Sequence, residues 1–161
     1  MKIINLTNNK GGVMVDDEDW DKLSKFRWHL HIGRNTNYAV TYLNRKKRIL
    51  MHRFIMNPKI GKVIDHINHN GLDNKRKNLR LATVGQNNAN RKIIKAKSGF
   101  KGVWFVPYQN RTNPWQVQIT INNKTNHIGY FSTKEEAARA YDIAAREMFG
   151  EFAFTNFKES E

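Results

Sequence analysis

The chain runs to 161 residues, with 28 Lys and Arg against 14 Asp and Glu for a net charge of +14, no cysteine, and a mean hydropathy of −0.72. Without cysteine there are no disulfides and no Cys-ligated zinc, so any metal is held by oxygen and imidazole ligands. No apolar run approaches the roughly 18–20 residues that span a bilayer, and the first ten residues lack a signal-peptide core; one or two small domains in the cytoplasm are expected.

Short apolar runs alternate with turn residues up to about Leu50. Gly11-Gly12 precedes Val13-Met14-Val15, and an acidic turn at 16–19 leads into Trp20, Leu23 and Phe26 at helical spacing, which predicts a short helix. Residues 28–32 alternate strictly and 38–43 are rich in β-formers; residues 33–37 form a plausible hairpin loop between them. His29 and His31 would share one strand face, and without a third residue in step they read as structural.

Residues 51–56 read as a strand closing at Asn57-Pro58, 62–67 as a second strand, and 79–82 as a third after a long polar loop. Thr83 suits the N-cap of a helix through Arg91, on which Asn87 and Asn90 share a face. Such a hairpin with a helix packed on it can pinch one metal ion between strand and helix. Residues 92–99 form a basic connector, where a domain boundary is placed. Three strand-like runs follow at 102–106, 115–121 and 127–131; then Thr133 and Glu136 form a capping box, and Ala137, Ala140, Tyr141, Ala144 and Met148 recur at helical spacing. A three-stranded sheet covered by one helix results, its apolar stripe being core.

Charge is unevenly spread. Residues 1–43 hold six basic and five acidic side chains (+1), 44–101 hold sixteen and two (+14), and 102–161 hold six and seven (−1). The middle block is an electrostatic footprint for a polyanion, since each neutralised phosphate releases counterions; a solubilising surface is the bland alternative. Its two acids are Asp65 and Asp73. Asp65 offers a hard oxygen ligand to a divalent cation, His66 beside it can take a proton from water, and asparagine amide oxygens can complete a metal shell. Neighbours on an ideal strand point to opposite faces, so Asp65 and His66 serve one site only where the strand ends, bulges or twists.

Asp65-His66, with Asn78 before Leu79-Arg80 and Asn87 after Gln86, resembles the HNH endonucleases of the phage and intron-associated homing type. Residues 98–157, from Ser98-Gly99-Phe100-Lys101-Gly102-Val103 through the Glu135–Asp142 stretch to Asn156-Phe157, resemble an AP2/ERF DNA-binding domain. The resemblance implies an α+β chain with a ββα-metal nuclease core at 49–91 on a β-rich N-terminal platform, a linker at 92–99, and an AP2-type three-stranded antiparallel sheet packed on one helix at 100–157.

It also implies roles. Asp65 and Asn87 would hold one Mg2+ or Mn2+, with Asn90 as the alternative to Asn87; His66 would be the general base and Asn78 would orient it. Arg53 and Arg80 would clamp phosphates, with His52 a further phosphate contact or a structural residue, and Arg76, Arg91, Lys101, Trp104, Trp115 and Lys124 would contact DNA. Trp104 and Trp115 could equally be core aromatics. Trp104 and Thr120 stand where AP2/ERF sheets usually carry Arg, so the plant recognition sequence does not carry over. The partner implied is double-stranded DNA cut by a monomer away from membranes, in a bacterial or phage-infected cell. The alternative is a DNA-binding regulator with a degenerate nuclease core.

Overall fold

The computed structural model describes residues 1–7, 10–44, 46–92, 96–107 and 112–158. They form two compact units, Met1–Val84 and Gly85–Glu161. The stretch expected as linker at 92–99 falls within the second unit, with 93–95 outside the described residues. Among the described residues no helix is long and apolar enough to cross a membrane.

In the first unit β1 (Lys2–Asn5) pairs antiparallel with β2 (Gly12–Val15), and α1 (Asp17–Leu23) follows with three acids in its first turn. The next three strands, β3 (His29–Ile32), β4 (Asn37–Leu43) and β5 (Lys47–Leu50), form an antiparallel meander. The hairpin of β3 and β4 was legible from alternation. β5 was not, because an exposed Lys47-Arg48 pair carries no apolar period.

Residues 51–56, expected as a strand, form the helix α2 (Met51–Met56). A strand would put Met51, Arg53 and Ile55 on one face; the helix buries Met51, His52 and Ile55 while Arg53 stays exposed. A six-residue apolar run cannot tell the two apart by period. Asn57 ends the helix in the left-handed region (φ 41°), its N–H donating to the Arg53 carbonyl at 3.0 Å.

β6 (Val63–His66) and β7 (Leu79–Ala82) then pair antiparallel across a loop, near the expected positions. One core unites these pieces: Val13, Val15, Leu23, Trp28, Ala39, Met51, Ile64 and Leu79 are buried together. Trp28 is its largest member, and its indole N–H donates to the Leu23 carbonyl at 2.8 Å, so the buried polar atom is satisfied.

α3 (Val84–Ala89) runs from the last residue of the first unit into the second and is shorter than the helix through Arg91 that Thr83 promised. The second unit carries β8 (Val103–Phe105), β9 (Trp115–Ile121) and β10 (Lys124–Phe131), antiparallel in the order β10-β9-β8, and α4 (Lys134–Phe149). These elements sit close to where their periodicity put them. Thr133 and Glu136 make the capping box at the start of α4. Ala137, Ala138, Tyr141 and Ala145 of α4 pack on Val103, Val117 and Ile119 of the sheet. Gly102 (φ +75°) has no room for a side chain, since a Cβ there would strike the Tyr141 ring.

Candidate active site

β6 ends at His66, and a turn starts at Ile67. The register pairs Asp65 with Arg80 and His66 with Leu79, so Asp65 and Arg80 share one face and His66 lies on the other. Asp65 is buried, and the Arg80 Nε and Nη2 reach its Oδ2 at 2.9 and 2.8 Å. Arg80, expected to clamp phosphate, is therefore engaged by the expected metal ligand.

On the other face His66 meets two rings from the platform. Its centroid lies 5.0 Å from His52 of α2, nearly perpendicular, and 6.0 Å from Tyr38 of β4. Burial pushes the His66 imidazole below its usual 6.5, against Asn74 and the carboxylates of Asp65 and Asp73, which pull the other way. Burial also drives His52 down to about 3, helped by the charges of His66 and Arg53. Both rings are neutral at physiological pH, the form that accepts a proton. Tyr38 is shifted upward by burial and by the charge of Asp65, so its hydroxyl keeps its proton.

The loop between the strands is built from its own asparagines. Asn78 donates from Nδ2 to the Asp73 carbonyl at 2.7 Å and accepts the Asn68 N–H at 3.0 Å. Asn68 donates from Nδ2 to the Asp73 carboxylate at 2.9 Å. Asn78 thus closes the loop, whereas the resemblance implied that it orients His66. The side chain facing His66 is Asn74, whose Oδ1 lies 3.4 Å from the ring Nε2. Sequence reasoning passed over Asn74 because nothing in its spacing separates it from the other loop asparagines. Gly71 sits where a Cβ would meet the Asn37 carbonyl and the Tyr38 ring, and its N–H donates to Thr36 Oγ1 at 2.9 Å, so the β3–β4 hairpin sets the loop's path.

The platform grips this loop from a second side. Met14 of β2 donates to the Leu72 carbonyl at 2.9 Å and accepts from the Asn74 N–H at 2.8 Å. Arg76 meets Asp19 through Nε at 2.9 Å and Nη2 at 2.7 Å, reaches Glu18 at 2.6 Å, and donates its backbone N–H to Asp16 at 2.7 Å. Arg76, expected on DNA, thus holds the acids of α1 and of its N-cap. Among the described residues, Asp16, Glu18 and Asp19 are the one group of three carboxylates or imidazoles able to share an ion, and the guanidinium fills it.

Asp65 accordingly offers a divalent cation a single carboxylate, not a preformed cage. That fits Mg2+, which keeps several waters and is bound by one or two carboxylates plus substrate phosphate oxygens.

The remaining expected contacts divide by burial. His52 is buried and takes the structural alternative. Arg53, Arg91 and Lys124 are exposed. Within the second unit Lys101, expected on DNA, donates from Nζ to the carbonyls of Ala89, the last residue of α3, and of Arg91, and lies 5.2 Å from the Phe154 ring. Trp115 pairs with Phe105 and Phe131, in step with Val117 on the face that meets α4, so it takes its core alternative. Trp104 pairs with Gln116, which pairs with Tyr130, on the outward face. Asn87 is half-buried and Asn90 buried, both in the second unit.

A family model described as HNH endonuclease matches residues 57–89, which span the β6–β7 hairpin and its loop. An uncharacterised HNH endonuclease of Acanthamoeba polyphaga mimivirus is 36% identical over 148 residues, covering 88% of this chain and 73% of its own length. The chain belongs to the HNH endonuclease family. It is a mixed α and β HNH protein with small antiparallel sheets. Part of it is also similar to an ethylene-responsive transcription factor of Arabidopsis thaliana, 40% identical over 72 residues, or 42% of this chain and 25% of the factor. An AP2-like ethylene-responsive transcription factor of the same plant is 52% identical over 46 residues, 27% of this chain and 8% of its own. These matches span a small part of the plant proteins. No solved structure matches the chain.

Proposed function

We propose that this chain is a divalent-metal-dependent endonuclease that hydrolyses phosphodiester bonds of double-stranded DNA at the end of the β6–β7 hairpin. The observation that carries the reading is the pairing of a buried Asp65 carboxylate with the adjacent neutral His66 at a strand end, inside a block of charge +14. His66 takes a proton from the attacking water. Asp65 would hold Mg2+ or Mn2+. Bound there, the ion supplies a Lewis acid for the scissile phosphate and the leaving 3′ oxygen. Arg80 fixes Asp65 across the hairpin, and Arg53, exposed on α2, contacts phosphate.

In the same reading the second unit chooses where the chain cuts. Its three strands and one helix, the similarity to plant AP2/ERF factors, and the absence of any acid from residues 99–131 support an AP2-like domain that lays its outward face, with Trp104, Gln116 and Tyr130, on DNA.

The test is nicking of supercoiled plasmid with Mg2+ or with EDTA, by wild type and by His66→Ala. Wild type nicks only with the metal, and the variant loses roughly 10²–10⁴-fold in cleavage at nearly unchanged DNA affinity. A wild type that binds DNA and never cuts it with Mg2+ or Mn2+ overturns the nuclease reading in favour of a DNA-binding regulator with a degenerate core.

A further inference from the structure

We propose that Asn74 is the positioning residue that selects the ring tautomer of His66. The inference rests on the role of His66 as base in the reading above. Asn74 is fully buried at 0% exposure, and three contacts fix it. Its backbone N–H is held by the Met14 carbonyl at 2.8 Å, its Nδ2 donates to the Gly71 carbonyl at 3.2 Å, and its Oδ1 faces His66 Nε2 at 3.4 Å.

The Gly71 carbonyl decides which way the amide points. Flipping it would set two oxygens against each other, so Oδ1 stays toward the histidine. An amide oxygen only accepts, so Nε2 must carry the ring proton. The lone pair then lies on Nδ1, the nitrogen that can take a proton from water. Two parts of the platform set this arrangement. β2 holds the Asn74 backbone through Met14, and the β3–β4 hairpin holds Gly71 through Thr36 and Tyr38. Asn78, by contrast, spends its amide on Asp73 and Asn68. Loss of Asn78 should loosen the loop without changing the ring.

The experiment reads the His66 ring nitrogens directly by long-range proton–nitrogen NMR of the full chain, labelled on histidine, at a pH where the ring is neutral. His66→Gln assigns the signals. Wild type should show Nε2–H alone. Asn74→Leu, of similar size with no acceptor, should show both tautomers, with kcat for plasmid nicking down roughly 10–100-fold and KM unchanged. Asn78→Ala should keep the wild-type ring signals.

A wild type carrying Nδ1–H overturns the proposal without any variant. So does Asn74→Leu with an unaltered ring, or Asn78→Ala with an altered one. Because the ring signals do not depend on cleavage, a wild type with Nε2–H that never cuts DNA sinks the nuclease reading while the tautomer assignment to Asn74 stands.

Discussion

Arg80 and Asp65 stand opposite each other in the β6–β7 register, and both guanidinium contacts, at 2.9 and 2.8 Å, fall on one carboxylate oxygen, Oδ2. The two side chains are 12% and 7% exposed, so this is a buried pair. Removing one member leaves the other charge uncompensated, which typically costs about 3–5 kcal/mol, whereas replacing both by apolar groups is often near neutral. Arg80→Met should therefore lower the unfolding midpoint sharply, and Asp65→Asn combined with Arg80→Met should recover much of the loss.

The same pair makes a prediction about metal. With the guanidinium gone, a divalent cation becomes the available countercharge for Asp65. Mg2+ binds the folded state and should raise the melting temperature of Arg80→Met by more than it raises that of wild type. Asp65→Asn should abolish the Mg2+ effect. Thermal scans with and without Mg2+ decide this, and equal shifts in wild type and Arg80→Met would mean the ion does not use Asp65.

Arg76 is a second basic residue held by acids of its own chain. It is half-exposed, while its partner Asp19 is buried. Arg76→Ala should cost roughly 1–3 kcal/mol, the range for stranding a buried acceptor, and should be non-additive with Asp19→Ala. The salt slope of DNA binding should stay as in wild type. Arg53→Ala should instead lower that slope by about one unit, as expected for a lost phosphate contact. Filter binding across a range of salt concentrations separates the two residues.

How far the sequence carried follows from these pairs. Alternation, helical spacing and a capping box are local, so β8–β10 and α4 could be read ahead of the structure. The runs at 62–67 and 79–82, parted by a polar loop, located the hairpin for the same reason. The charge map could not foresee that Arg76 closes on acids 57 residues away, or that Arg80 is consumed by Asp65 across the strands. Asn74 looked like one more polar loop residue, and only its burial and its two fixed neighbours distinguish it from Asn78. α2 was misread because six apolar residues leave the period undecided until the core shows which face is covered.

The buried imidazoles give the first unit an acid limit. His52 has a folded pKa of about 3 against 6.5 as its ordinary value. Between these values the unfolded chain binds a proton that the folded one refuses, so stability is fully present above about 6.5 and is lost as pH falls toward 3. His66 is shifted in the same direction. Urea midpoints measured between pH 7 and 5 should fall in wild type and fall less steeply in His52→Phe. Parallel slopes would mean that His52 is not the group being charged.

The second unit should respond to pH in the opposite range. Burial, with the charge of Arg91 second, drives the Lys101 ammonium from 10.5 down to about 8, although two carbonyls accept its protons. Here too the folded pKa lies below the unfolded one, so the unfolded chain holds the extra proton between about 8 and 10.5. Stability therefore rises with pH across that window, and below it the cost of burying the ammonium is present in full. Following α4 amide signals in urea at pH 7.5 and 9.5 should show the midpoint rising in wild type, with a smaller rise in Lys101→Met, which keeps the stem and removes the titrating head. DNA affinity and its salt slope should be unchanged in that variant, because the ammonium is committed to the Ala89 and Arg91 carbonyls at the end of α3. A loss of about one unit of slope would instead place Lys101 on phosphate and return it to the DNA-contacting residues.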